Sequence, residues 1–244
     1  MELWGITDTG KVRRENQDVF KILFDEEKGI AVLVVCDGMG GARAGNVASA
    51  IAAETFMHHM GKYVEEIGAD SEITEKMADA VYLANDAVFE KSLLSDFYAG
   101  MGTTLTAVIS TTDGETVVNV GDSRVYHITK NSIKQITKDH SVVEDMISRG
   151  DITREQARRH PNKNLITRAL GGNHIEKPDI FKFKLDEGDY ALLCSDGLTN
   201  VVFDSEVLFE LQHSDCVRKS CEKLIETALE RGAPDNVTAV IYRK

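Results

Sequence analysis

The sequence predicts an α+β fold in which antiparallel sheets are covered by helices. Segments that alternate apolar and polar residues are joined by short turns such as Asp-Gly, which is typical of β-hairpins. Segments of helical periodicity come in blocks, whereas a parallel doubly wound sheet would require strict alternation of strands and helices. The 244 residues are 42% hydrophobic and contain no repeat, low-complexity tract or linker, so we expect one domain over residues 1–244.

The first third of the chain predicts strands followed by two adjacent helices. One helix begins near Ala44 and continues to about His59 through good helix formers. The other covers residues 71–95, with apolar residues every three or four positions and Ser71 as its candidate N-cap. Before these helices, apolar strand-like runs occupy residues 2–8, 18–24 and 30–37.

A change to period-two patterning after Gly100 predicts an antiparallel meander. Its strands are expected at residues 103–109, 116–120, 124–129 and 132–136. The elements expected in the last third are strands at 179–185 and 189–195, helices at 205–212 and 215–231, and a final strand at 237–242.

Residues 141–170 interrupt this pattern, because they are polar and irregular. They nevertheless carry two helix-start signatures, in which a hydroxyl residue is followed three positions later by Glu or Gln. These are Ser141 with Glu144 and Thr153 with Gln156. We expect a mobile insertion here.

Composition and charge exclude several functions. A formal charge of -12 opposes binding to nucleic acid, whose phosphates favour a basic face. Apolar runs fall short of the ~20 residues of a membrane helix, and the amino terminus lacks a signal segment. The cysteines form no Cys-x-x-Cys pair, which favours reduced thiols. We therefore expect a cytoplasmic protein without membrane contact.

Separated aspartates follow or precede the strongest strand patterns and suggest a metal site. Asp37 and Asp196 each end an apolar run and precede a glycine, whereas Asp18 follows an Arg-rich turn and Asp235 precedes the final strand. Carboxylates are hard ligands that suit Mg²⁺ or Mn²⁺, and one of them commonly bridges a metal pair. Asp37 is the candidate for bridging, and Gly38 lets the backbone bring its carbonyl to an ion.

A simpler interpretation is available for every Asp-Gly pair, because this dipeptide is common in tight turns. We expect Asp113-Gly114 to be a turn and nothing more. Cys36 and Cys194 lie inside apolar runs, so neither is expected to serve as a phosphatase nucleophile.

The ordered motifs resemble those of the type 2C metal-dependent serine/threonine protein phosphatases over essentially the whole chain. The segment from Thr137 to Gly171 resembles the bacterial branch, in which a flap lies beside the site; here the flap would cover about residues 139–171. The resemblance implies a four-layer α-β-β-α sandwich of two antiparallel sheets. The matching motifs are residues 8–18, 37–41, 102–104, 121–124, 195–198 and 235–238.

The same resemblance implies a role for each acidic residue. Two Mn²⁺ or Mg²⁺ ions would be bridged by Asp37, with the Gly38 carbonyl on one ion. Asp18 would be a ligand or would hold metal-bound water. Asp196 and Asp235 would complete the binding of the other ion. Asp122 would help to bind a third, weaker ion.

Arg13 lies where the family places the guanidinium that grips substrate phosphate, and Arg14 is the alternative. Many relatives carry a histidine, proposed to protonate the leaving oxygen, where this chain has Ala42-Arg43. His140, His160 or metal-bound water are the open substitutes. Asp139 and His140 are otherwise interpreted as a loop and helix-entry pair.

The function implied is hydrolysis of phosphoserine and phosphothreonine on proteins by a metal-activated water, with Arg13 and Asp37 as the central catalytic residues. The expected partners are phosphorylated proteins and a serine/threonine kinase, and the protein is expected to act as a monomer. One alternative is a catalytically weak phosphatase fold that serves as a binding or regulatory module. Another is an enzyme restricted to one client, such as an anti-sigma-factor antagonist.

Overall fold

Two antiparallel sheets lie face to face, with helices on both outer sides, in a computed structural model that describes residues 1–39, 44–66, 72–172 and 177–244. The strands within these residues are β1 Glu2–Asp8, β2 Asp18–Asp25, β3 Ile30–Met39, β4 Gly102–Thr103, β5 Leu105–Ser110, β6 Glu115–Val120, β7 Arg124–Ile128, β8 Ile133–Gln135, β9 Asp179–Phe183, β10 Tyr190–Cys194 and β11 Val237–Arg243. The helices are α1 Gly45–Glu66, α2 Ile73–Ser92, α3 Val142–Arg149, α4 Arg154–Arg158, α5 Asp196–Thr199, α6 Asp204–His213 and α7 Val217–Glu230.

The strand order explains why the central strands read as unbroken apolar runs. One sheet has the order β1-β11-β10-β7-β8 and the other β2-β3-β5-β6-β9, with β4 paired to β3. On β3, Val32 and Val34 face the helices α1 and α2, whereas Leu33 and Val35 face the opposite sheet, and all four are fully buried. A strand buried on both faces has no solvent side, so polar residues do not alternate along it.

The predicted four-layer α-β-β-α sandwich is therefore confirmed. One outer layer is α1 and α2, and the other contains α5, α6 and α7 packed on β10 and β11. Helix α1 begins at Gly45, as expected from the pattern near Ala44, but continues past His59 to Glu66. The candidate N-cap Ser71 of the second helix lies outside the described residues.

Two boundary predictions are wrong in ways that matter for the site. β3 does not end at Asp37 but continues to Met39, so Asp37 is paired inside a strand. The strand expected at 103–109 is interrupted at Thr104, which leaves β4 and β5 as separate strands. Both departures have one cause, since Thr104 bonds to the backbone of Asp37 instead of continuing its own strand.

The insertion contains the helices α3 and α4. The capping box at Thr153 and Gln156 is confirmed. At Ser141 the hydroxyl accepts from the Glu144 N–H, but the Glu144 carboxylate lies 3.4 Å from Arg154. Flap motion of residues 139–171 stays a prediction.

Other sequence expectations concern cysteines and membranes. The cysteines are free thiols, and Cys36, Cys194 and Cys221 are buried among apolar residues. No helix in the described part of the chain combines the length and the apolar character needed to cross a membrane.

Close packing at Gly197 gives a stability prediction. A Cβ at Gly197 would overlap the carbonyl oxygen of Asn236, which belongs to the turn before β11. We expect Gly197→Ala to lower the free energy of unfolding by about 1–3 kcal/mol, the usual effect of overpacking. Gly61→Ala, inside α1, is the matched control, because its Cβ would make an ordinary 3.6 Å contact with Leu23 of β2.

Denaturant unfolding followed by circular dichroism measures both variants. Gly61→Ala should raise the free energy of unfolding by about 1 kcal/mol through helix propensity. Equal stabilities for the two variants would contradict the close approach at Gly197.

Candidate metal centre

One end of both sheets carries an acidic cavity of about 790 Å³. The strand register brings acidic residues to this end of the first sheet, where Asp18 at the start of β2 is paired with Asp37 near the end of β3. In the other sheet, the end of β10 is paired with the start of β11, so that Asp196 and Asp235 flank this pair of strands at the same end. The predicted site residues that line the cavity are Arg13, Asp37, Gly38, Asp122, Asp196 and Asp235.

Asp18 does not line the cavity but lies behind it, 4% exposed, where it joins the two sheets. Its Oδ2 accepts hydrogen bonds from the hydroxyls of Ser195 and Thr238, each at 2.6 Å, and both donors belong to the opposite sheet region. Its Oδ1 is buried and has no hydrogen-bond partner. Burial raises the pKa of Asp18 to about 7.

Asp37 is held by its backbone. Its N–H donates to the Thr104 hydroxyl at 2.9 Å, and its carbonyl accepts from the Thr104 N–H at 2.8 Å. Burial, followed by the charge of Asp18, raises the pKa of Asp37 well above its usual range. The next residue, Gly38, cannot carry a side chain, because a Cβ would overlap the carbonyl of Gly45 at the start of α1.

Asp196 and Asp235 form the other side of the cavity. Asp196 begins α5, and its Oδ2 accepts from Asn200 at 3.0 Å, whereas its Oδ1 is buried without a partner. Burial, followed by the charge of the nearby Asp235, raises the pKa of Asp196 to about 6. Asp235 itself forms a 2.8 Å ion pair with Arg13, whose side chain is 54% exposed.

Asp122 occupies the turn between β6 and β7 and is 8% exposed. Burial raises its pKa well above the usual range, and the charge of Asp196 adds to the effect. The site thus combines several carboxylates that resist ionisation together, which is the electrostatic condition that a bound cation relieves.

The donor set fits a divalent cation, although the side chains do not enclose one ready-made. The partnerless buried oxygens of Asp18 and Asp196 are the atoms that a cation would satisfy. In the described part of the chain, no group of three or more His, Cys, Asp or Glu side chains is arranged to hold an ion. Asp235 and Asp196 instead turn toward Arg13 and Asn200.

The histidines considered as proton donors do not line the cavity. The ring of His140 is 5% exposed and contacts Gly121 and Asp179, while His160 accepts from the Asn162 N–H. Ala42 and Arg43 lie outside the described residues. The plain interpretation of Asp139 is supported, since its carboxylate is paired with Arg124 at 2.7 Å.

Several residues of the site were not singled out from the sequence. Asn164 and Ile166 of the insertion line the cavity, and only the fold brings them there. Thr104 bonds to Asp37, and Ser195 and Thr238 bond to Asp18. Each of the three lies in one of the motifs that match the phosphatase family. Asp113-Gly114 is simply the hairpin turn between β5 and β6, as expected.

An α-β-β-α sandwich with a carboxylate-lined cavity at one end of both sheets is the arrangement expected for the class of metal-dependent protein phosphatases. The family model described as protein phosphatase 2C matches residues 11–237. This chain belongs to the protein phosphatase 2C family.

Similar proteins come from bacteria. The serine/threonine protein phosphatase PstP of Mycobacterium tuberculosis is 37% identical over 235 residues, which are 96% of this chain but 43% of that relative, so the chain spans less than half of its length. The serine/threonine phosphatase of S. agalactiae has a TM-score of 0.91 and 34% identity, with 100% of this chain and 99% of that chain covered. The catalytic domain of PstP in complex with two manganese ions has a TM-score of 0.83 and 34% identity, with 98% and 96% covered.

The raised pKa of Asp18 gives a pH prediction for metal-free protein. A carboxyl whose pKa rises from 3.8 when unfolded to about 7 when folded contributes stability that is fully present below the unfolded pKa. This contribution is lost as the pH rises through about 7. Asp18→Asn should therefore gain stability relative to the unsubstituted protein between pH 5 and pH 8, each with a chelator present.

Urea unfolding at several pH values measures this difference. Asp113→Asn, on the exposed turn between β5 and β6, is the control and should show no such trend. A stability difference for Asp18→Asn that stays constant with pH would contradict the assigned pKa.

Proposed function

We propose that this protein is a cytoplasmic bacterial phosphatase that removes phosphate from serine and threonine residues of proteins with the help of Mn²⁺ or Mg²⁺. The observation that carries the proposal is the cavity itself, where Asp37, Asp122, Asp196 and Asp235 meet Arg13 at one end of the two sheets. Membership of the protein phosphatase 2C family and the two manganese ions of the PstP catalytic domain support the same function.

In the proposed arrangement the acidic residues divide the work of holding two divalent ions. Asp37, fixed by Thr104, would lie between the ions, and Gly38 would offer its carbonyl. Asp18 would act from behind the cavity, through its free Oδ1 or through a water molecule. The other ion would be completed by Asp196 and Asp235, and a third, weaker ion would be bound with the help of Asp122.

When bound, such ions neutralise phosphate charge and lower the pKa of water enough to make it a nucleophile near neutral pH. The chain then needs no covalent phosphoenzyme. Burial raises the pKa of the Cys36 thiol far above neutrality, and Cys36 does not line the cavity. A cysteine nucleophile is thus unnecessary and unsuited to this site.

Arg13 is proposed to grip the substrate phosphate. In this structure its guanidinium is paired with Asp235 at 2.8 Å and occupies the edge of the cavity. An ion bound to Asp235 would weaken that pair by competing for the carboxylate, which frees the guanidinium for bidentate contact with phosphate. Arg14 also lines the cavity and stays the alternative.

The proposed substrates are phosphorylated proteins, and the proposed setting is signalling opposite a serine/threonine kinase, with the phosphatase acting as a monomer. Residues 139–171 are proposed to form a flap beside the site, because Asn164 and Ile166 of this segment line the cavity. A phosphoprotein entering the cavity would then pass between the flap and residues 12–15.

Asp37→Asn tests the site directly. We expect Mn²⁺-dependent hydrolysis of p-nitrophenyl phosphate to fall by more than about 100-fold, beyond the usual cost of substitutions outside the metal ligands. Manganese affinity, measured by isothermal titration calorimetry, should fall as well. Asp113→Asn is the matched control, because it changes an Asp-Gly turn outside the cavity.

Full activity of Asp37→Asn would refute its assignment. An inactive unsubstituted protein at every Mn²⁺ concentration would refute the phosphatase proposal and favour a binding module. Phosphopeptides carrying phosphoserine, phosphothreonine or phosphotyrosine then test the substrate class, and the first two should be preferred.

A further inference from the structure

His140 forms hydrogen bonds with both the N–H and the carbonyl of Gly121. The ring Nδ1 of His140 accepts the Gly121 N–H at 3.1 Å, and the backbone N–H of His140 donates to the Gly121 carbonyl at 2.9 Å. Gly121 has a φ of +114°, a conformation that L side chains rarely adopt, and it directly precedes Asp122. The Gly121 carbonyl also accepts from the Asn119 side chain at 3.2 Å, but the Gly121 N–H is bonded by His140, which thus helps to hold the turn that places Asp122 at the cavity.

The orientation of the ring is fixed from its other side. Because Nδ1 accepts a hydrogen bond, the proton of the neutral ring belongs on Nε2, which lies 3.2 Å from Asp179 and 3.3 Å from the Arg168 guanidinium. Of these two neighbours only the carboxylate can accept that proton. Asp179 is the first residue of β9 and is also paired with Arg168 of the insertion at 3.0 Å. The carboxylate therefore holds the tautomer that the Gly121 contact requires.

The Gly121 turn also contacts the residue that fixes Asp37. A Cβ at Gly121 would overlap the side chain of Thr104, and the Thr104 hydroxyl lies 2.9 Å from that of Ser123. A displacement of this turn would consequently disturb both Asp122 and the support of Asp37. Among the links between the insertion and this turn, His140 is the one that bonds both the N–H and the carbonyl of Gly121.

We propose that His140 is a positioning residue for the metal site, which acts on Asp122 through the main chain of Gly121 and is itself oriented by Asp179. It does not touch substrate, and it is not the general acid. The inference rests on the proposed function for its activity readout, and on the hydrogen bonds of His140 for its structural readout.

The test compares His140→Asn with His140→Gln. An Asn side chain places an oxygen acceptor near the position of Nδ1, whereas a Gln side chain reaches toward the position of Nε2 and leaves the Gly121 N–H unpaired. We expect the Gln variant to lose about 10–100-fold in activity on p-nitrophenyl phosphate, the usual cost of losing outer-shell support. It should also need more Mn²⁺ for half-maximal rate, while the Asn variant stays within about threefold of the unsubstituted protein.

Hydrogen exchange of metal-free protein, followed by mass spectrometry, provides a readout that needs no activity. Peptides covering residues 119–124 should exchange faster in His140→Gln than in His140→Asn. His127→Gln is the matched control, because His127 also pairs with a carboxylate, Asp189 at 2.8 Å, but lies outside the cavity. It should change neither the Mn²⁺ requirement nor this exchange.

Equal effects of the Asn and Gln variants on activity and on exchange would overturn the proposal. Such a result would mean that the position of the hydrogen-bond acceptor does not matter and that His140 serves only in packing. If the His140 variants do not fold, Asp179→Ala and Asp179→Asn replace them. The Ala variant should speed exchange at residues 119–124, and the Asn variant, which keeps an acceptor for Nε2, should not. The expected exchange pattern in a protein without phosphatase activity would refute the proposed function and leave the positioning role standing.

Discussion

The burial of several carboxylates at one end of two packed sheets is the constraint on which the rest of the structure depends. Each of these groups is costly to bury as an anion, so burial, followed by mutual repulsion, raises the pKa values of Asp18, Asp37 and Asp196. The apolar cluster between the sheets and the two clusters under the helices on the outer faces supply the burial that offsets this cost. A divalent cation is the partner that such a site lacks within the chain.

Support of the acids comes from hydroxyl groups within β11 or directly beside the ends of β4, β5 and β10. Asp18 receives hydroxyl hydrogen bonds from Ser195 and Thr238, so one carboxylate joins the two sheets directly behind the cavity. Thr104 lies between β4 and β5 and forms two hydrogen bonds with the backbone of Asp37. A site built in this way keeps its spacing through the β-sheet register, which is harder to deform than a loop.

The sequence predicted the order and type of most elements, because the apolar run of β3, the period-two pattern around β5 and the helical periodicity of α2 are strong local signals. Its errors lie where a tertiary contact overrides local pattern. The break at Thr104 and the extension of β3 past Asp37 both follow from the hydrogen bonds between these two residues. No local signal announces such a pairing, since the partners are 67 positions apart.

By itself the sequence determined the fold class, the candidate metal-site residues and the oxygen-ligand chemistry, because motif order and apolar periodicity are local properties of the chain. Only the tertiary structure decided that Asp18 lies behind the cavity, that Arg13 pairs with Asp235, and that Asn164 and Ile166 of the insertion line the site. These facts depend on which side chains meet across two sheets. Long-range packing and strand register determine those contacts, and neither can be predicted from a single segment of the sequence.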